Sequence, residues 1–267
     1  MGRPYRGGPF GGGPGGYRTR MSTESTSGHG GRENAEARLA SLDPFDIFDA
    51  EAARLDRFFS GLDAGGWARP SRCGGWSVRD VLAHLAGEEL YNHACLDDDL
   101  EGFRARLERE GVGGGYNGFN EWCVRRRRDV PVEEVLDEWR RANGETRRRM
   151  RELGRDAELP TMAGPYPVGL QAFHYDSEYA THADDVGAPV GDDEVGGRAR
   201  WRAAVGAFVL TERDSPARAE PDGDRVAVRM DGRSERLPVA EFVDATVGRL
   251  PEGRLDPELR DALRCLA

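Results

Sequence analysis

From Asp43 onward apolar positions recur at three-and-four spacing, the repeat of one side of a helix. Phe45, Phe48, Ala52, Leu55, Phe58, Phe59 and Leu62 form the first such stripe. A turn-rich stretch from Ala68 to Trp76 follows, and then Ser77-Val78-Arg79-Asp80, where a Ser three residues ahead of an acid predicts a reciprocal helix cap. The second helix therefore starts near Val78 and carries Val81, Leu82, Leu85 and Leu90, with His84 among them. Glycines at 111 and 113–115 interrupt the rhythm, and a further helix is expected over Phe119–Arg128, stopping before Pro131. A third long helix fits Val132–Leu153, with Val135, Leu136, Trp139, Ala142 and Met150 inward, and a fourth fits Leu170–Val186, closed by Gly187 and Pro189. Four long helices with no strands between them predict an up-and-down bundle.

Beyond Pro189 the rhythm shortens. One helix is expected over Arg198–Thr211, two short strands over Arg225–Met230 and Glu235–Leu237, and helices over Ala240–Arg249 and Pro257–Leu266, which together make a small α+β domain. The opposite end of the chain has no periodicity: residues 1–36 are dominated by Gly, Pro, Ser, Thr and Arg, too little apolar surface to offset the entropy of ordering. The expected organisation is a mainly α protein, with a disordered tail over 1–36, a bundle over 37–190 and an α+β domain over 191–267. Met21 offers an alternative translation start to Met1.

Charge and composition narrow the partners. A formal net charge of −10 repels nucleic acid and anionic membrane surfaces at long range, so neither is the expected partner. The run Arg125-Arg126-Arg127-Arg128 is expected on a solvated face. No apolar run approaches a membrane span and the N-terminus lacks the apolar core of a secretory signal, which points to the cytoplasm. The four cysteines, Cys73, Cys95, Cys123 and Cys265, form no CxxC pair and read as ordinary thiols. Nothing in the sequence speaks to oligomeric state.

Candidate chemistry lies on the fourth helix. Steps of four residues advance about 40° around a helix, so His174, Glu178 and His182 share a side, and Asp185 stands one turn beyond His182. A Glu and a His one turn apart can grip one cation, with Asp185 orienting the other nitrogen of the ring. A bundle site also asks for a ligand from a facing helix, and His84 lies on a core-facing stretch. The same residues have a plain reading, since Glu and His four apart are common on solvated helix faces and a lone histidine among leucines is usually a hydrogen-bonded core residue. His93 and Trp76 are expected to serve packing, Glu88, one turn from His84, to face solvent or else to stand behind the site, and His174 to be a fourth ligand or a hydrogen-bonding neighbour.

A resemblance adds to this. The run Gly75-Trp76-Ser77-Val78-Arg79-Asp80-Val81-Leu82-Ala83-His84-Leu85-Ala86, then Glu178, His182 and Asp185 far downstream, then Gly187 and Pro189, resembles the mycothiol-dependent maleylpyruvate isomerase family of the DinB-like superfamily over about residues 43–190. The resemblance implies a DinB-like four-helix bundle in which His84, Glu178 and His182 bind a divalent metal, zinc first, with iron or nickel as other candidates. From spacing and not from the resemblance, Asp185 and His174 are the candidates to support the site from outside, and the family pattern does not require His174. It also implies mycothiol or a related small thiol as cofactor, and isomerisation or S-transfer on a small molecule. Two His and one carboxylate leave coordination positions open, as catalytic sites do, and coordination would make a bound thiol a thiolate. A thiol-independent hydrolase or lyase and a non-catalytic binding module remain alternatives, and no residue is assigned a catalytic or thiol-binding role. An anionic thiol cofactor would ask for arginines beside the metal, and the sequence does not single out Arg198, Arg200 or Arg202 for that role.

Overall fold

A computed structural model describes residues 34–266, so the expectations for residues 1–33 and for the alternative start at Met21 lie outside the described residues. The described chain divides into two units, one over 44–189 and one joining 34–43 to 190–266. The boundary at 36 expected for the tail falls inside a helix, α1 (34–40), whose Ala35 and Leu39 are both buried. That short stripe groups with the C-terminal unit and not with the bundle.

The first unit contains α2 (Pro44–Ser60), α3 (Ala64–Ala68), α4 (Val78–Leu96), α5 (Leu100–Arg109), α6 (Gly115–Arg127), α7 (Val132–Leu153), β1 (Glu158–Thr161), β2 (Gly164–Pro167) and α8 (Val168–Val186). The four long helices α2, α4, α7 and α8 pack as a bundle, α2 against α8 and α7, and α4 against α7 and α8. Their apolar stripes meet in one core where the Phe48 ring sits edge-on to Tyr179 at 5.0 Å and Phe59 edge-on to Trp139 at 5.8 Å. The expected cap of α4 is present: Asp80 N–H donates to Ser77 Oγ and Ser77 N–H to Asp80 Oδ2. At the far end of α8, Gly187 takes φ 74°, and the amides of Gly187 and Ala188 return to the carbonyls of Asp184 and Ala183, which closes the helix.

Two features depart from the expected bundle. Strands do intervene: β1 and β2 form an antiparallel hairpin between α7 and α8, with Leu159 opposite Tyr166. Pro160, Pro165 and Pro167 argue against strands, but in a two-stranded ribbon each strand is an edge and can spare amide donors. The second is α5, capped by the Asp99 side chain accepting from Gly102 N. α4 and α6 also approach unusually closely. A Cβ at Gly87 would lie 2.3 Å from Cys123 Cβ, so only glycine lets α6 lie this near. Arg127 consequently turns inward, is buried and pairs with Glu138, while Arg125, Arg126 and Arg128 stay exposed as expected for the run.

The second unit adds α9 (Asp192–Glu212), the antiparallel meander β3 (Arg218–Asp222), β4 (Arg225–Met230) and β5 (Arg233–Pro238), then α10 (Val239–Thr246) and α11 (Pro257–Leu263). β4 alternates as a half-buried strand does, with Val226, Val228 and Met230 inward. β3 was not expected, because Pro221 and its alternating charges hide it. The unit is α+β, as its sequence suggested.

Candidate metal centre

Two helices bring the expected ligands together. α4 supplies His84 and α8 supplies Glu178 and His182. The two Nε2 atoms lie 3.1 Å apart, and Glu178 Oε1 is 3.3 Å from His84 Nε2 and 3.9 Å from His182 Nε2. Both histidines are buried and Glu178 is half-buried, so the three donor atoms converge at the edge of the core. Zinc–nitrogen and zinc–oxygen bonds of about 2.0–2.2 Å place tetrahedral ligand atoms about 3.3–3.6 Å apart, a range that the observed separations of 3.1, 3.3 and 3.9 Å bracket. The residues present therefore fit a divalent cation in both donor type and spacing.

The surroundings set the protons. Asp185 Oδ2 lies 3.3 Å from His182 Nδ1 and accepts from it, which turns the lone pair of a neutral ring toward the centre. Burial works to lower the His182 pKa, but its contacts with Asp185 and Cys73 outweigh burial and hold it well above the usual histidine value. His84 goes the other way, lowered chiefly by burial and also by the positive charge of His182. Its Nδ1 is buried with no partner among the described residues, so the proton of the neutral ring belongs on Nε2, facing Glu178. Burial would raise Glu178, yet the hydrogen bond from His84 and the charges of both histidines hold it down at about 2.

Three further residues belong to the site. Glu88, one turn beyond His84 on α4, is buried and not solvated, with Oε1 3.6 Å from His84 Nε2. Burial and the negative charge of Glu178 push its pKa well above the carboxylate range, leaving a neutral acid. The Tyr116 hydroxyl, from α6, bridges Glu88 and Glu178, 3.0 Å from Glu178 Oε1. Beside them a cavity of about 10 Å³, lined in part by Tyr91, Phe119 and Tyr175, has room for one water but not for a substrate. Cys73 is the third: its thiol donates to Asp185 Oδ2 at 3.1 Å and lies 3.7 Å from His182 Nδ1. The only hint of Glu88 in the sequence was its position four residues after His84. Tyr116 sits in a glycine-rich stretch and gave none, and Cys73 gave only its place just before a helix cap.

The other candidates fall outside the cluster. His174 is half-buried on α8, with Nε2 3.3 Å from the Tyr166 hydroxyl, and belongs to neither group of converging donors. His93 Nε2 lies 3.1 Å from the Ala142 carbonyl, a packing role. Trp76 holds its ring 5.1 Å from His84 at a tilt of 47° and donates to Glu121, so it walls the site as well as packing the start of α4. Arg198 and Arg202 are buried and Arg200 is exposed, all three in the second unit.

Comparison with known proteins bears on the fold and the family. No curated protein sequence matches the chain. Two crystal structures match over 79% of this chain and 91% of their own, each with a TM-score of 0.56. One is the mycothiol-dependent maleylpyruvate isomerase at 14% identity, and the other is a mutant of the mycothiol-dependent maleylpyruvate isomerase at 15%. The shared property at such identities is the mainly α fold. A family model described as the mycothiol maleylpyruvate isomerase N-terminal domain matches residues 48–187, more than half of the 267 residues, and the chain belongs to that family.

Proposed function

We propose that this chain is a metal-dependent enzyme that uses a small thiol, mycothiol or a close relative, to isomerise a small unsaturated acid of the maleylpyruvate kind or to transfer the thiol to such an acceptor. The observation that carries the reading is the convergence of His84, Glu178 and His182, which leaves coordination positions open on a partly exposed edge. A divalent ion held there, zinc first and iron or nickel next, would lower the pKa of a thiol or water that reaches it and so supply a nucleophile at neutral pH.

The chain's own residues do the rest. Asp185 keeps a proton on His182 Nδ1 and thereby frees Nε2 as a donor. Glu88, neutral and joined through Tyr116 to Glu178, stores a proton beside the centre. Trp76 covers one side of His84 and keeps water from it. No helix among the described residues is long and apolar enough to cross a membrane, and a mycothiol-type cofactor belongs with a cytoplasmic location, which we propose for this chain.

The test measures circular dichroism, metal content and turnover of maleylpyruvate with and without mycothiol, on wild-type protein and His182→Ala. Turnover in the wild type should need both metal and thiol, and His182→Ala should lose metal and turnover while keeping its helical spectrum. Turnover that needs metal but ignores thiol would favour a hydrolase or lyase, and full turnover from metal-free His182→Ala would overturn the metal mechanism.

A further inference from the structure

The geometry points to a second cation-binding set on the opposite edge of the His182 ring, made of Cys73 Sγ, His182 Nδ1 and Asp185 Oδ2, which takes a strongly thiophilic divalent ion such as cadmium. The three donor atoms are 3.7 Å (Sγ to Nδ1), 3.1 Å (Sγ to Oδ2) and 3.3 Å (Nδ1 to Oδ2) apart. Bonds of about 2.3 Å to sulfur and about 2.0 Å to nitrogen and oxygen put tetrahedral ligands about 3.5, 3.5 and 3.3 Å apart in the same order. The match requires shifts of a few tenths of an ångström.

The set is held in place before any ion arrives. The loop carrying Cys73 is fastened to the C-terminal end of α8 twice, by Arg72 N–H donating to the Asp185 carbonyl at 2.9 Å and by the Arg69 guanidinium donating to the Val186 carbonyl. Within the loop, Cys73 N–H donates to Ser71 Oγ at 3.1 Å and Trp76 N–H to the Cys73 carbonyl at 3.0 Å. Cys73 is half-buried, while Cys95, Cys123 and Cys265 are buried, so this thiol is the one that solution reaches. Ion binding releases the thiol proton and the Nδ1 proton, each of which is donated to Asp185 Oδ2 in the ion-free protein.

His182 links this set to the one formed with His84 and Glu178. A neutral imidazole has one lone pair, so an ion on Nε2 leaves a proton on Nδ1, and an ion on Nδ1 leaves a proton on Nε2. The two sets therefore compete through the tautomer of one ring. Softness selects between them: thiolate-seeking ions take Cys73, and harder ions such as nickel take the His84 side. This goes beyond the catalytic reading and does not depend on it.

The experiment titrates metal-stripped, full-length protein with cadmium chloride and follows the ultraviolet thiolate-to-cadmium charge-transfer band, bound metal, and the alkylation rate of Cys73. Wild type should show a band that saturates at one ion per chain, with Cys73 protected from alkylation. Cys73→Ser should lose the band, and Glu178→Gln, which damages only the other set, should keep it. Nickel added first should suppress it. A wild-type protein that binds cadmium with no band and no protection of Cys73 would overturn the site, as would a band that survives Cys73→Ser. Two ions held together by one wild-type chain would overturn the competition. Because the wild-type arm alone can refute the site, a variant that fails to fold does not shelter it, and loss of mycothiol-dependent turnover is not among its readouts.

Discussion

The Tyr116 hydroxyl stands 3.0 Å from Glu178 Oε1 and thereby ties α6, a helix outside the four-helix core, to the centre. Tyr116→Phe removes that tie and leaves Glu88 without its hydroxyl partner. The expected result is about a 10-fold loss of metal affinity, the lower end for an outer hydrogen-bonding partner, with an unchanged helical spectrum. A chelator competition assay measures it, and an affinity equal to wild type would show that the bridge does not orient Glu178.

Metal uptake should depend on pH in one direction. In the metal-free protein His182 titrates well above the usual histidine value and holds a proton at pH 7, whereas His84 is lowered and holds none. A cation on His182 Nε2 must displace that proton. Apparent affinity should therefore rise with pH between the ordinary histidine range and the raised value, by up to about tenfold per unit for one proton. Calorimetry in two buffers of different ionisation heat counts the released proton, and an affinity flat across this window would contradict the assignment.

Asp185→Asn keeps an acceptor oxygen near His182 but removes the charge. The expected cost is about 10- to 100-fold in metal affinity, with residual metal at high concentration, in contrast to the full loss expected for His182→Ala. Equilibrium dialysis separates the two, and complete loss of metal from Asp185→Asn would move Asp185 from support to ligand.

A fourth prediction concerns stability alone. Buried Glu89 accepts from Asn143 at 3.1 Å, Tyr179 at 3.0 Å, Thr146 at 2.6 Å and Asn92 at 3.1 Å, a network that joins α4, α7 and α8. Glu89→Gln keeps the shape but turns an NH2 toward two of these donors. Urea denaturation should report a loss of about 1–3 kcal/mol, the range for buried polar groups left unpaired. No measurable change would show that the network rearranges around the amide.

Much of the architecture could be read from local signals. The Ser77–Asp80 cap, the stripe from Phe45 to Phe59 and the Gly187 stop each depend on neighbours in sequence, and each was legible. Meetings of His84 with Glu178 and His182 needed the family resemblance, because spacing on α8 says nothing about which residue of α4 faces it. Glu88 and Arg127 were read as solvated for the same reason: their burial follows from α6 lying against Gly87, and no periodicity within α4 or α6 reveals that approach. The β1–β2 hairpin was hidden by its prolines, which are poor strand residues anywhere but at an edge.

The ligands on α4 and α8 are 98 residues apart along the chain. At synthesis rates of about 5–20 residues per second, a ribosome that has just made His84 needs about 5–20 s more to make His182. For all but the last four residues of that interval the nascent chain carries only one of the three donors. On the metal reading proposed above, ion capture would be a late event in the life of each molecule, coincident with the docking of its last bundle helix.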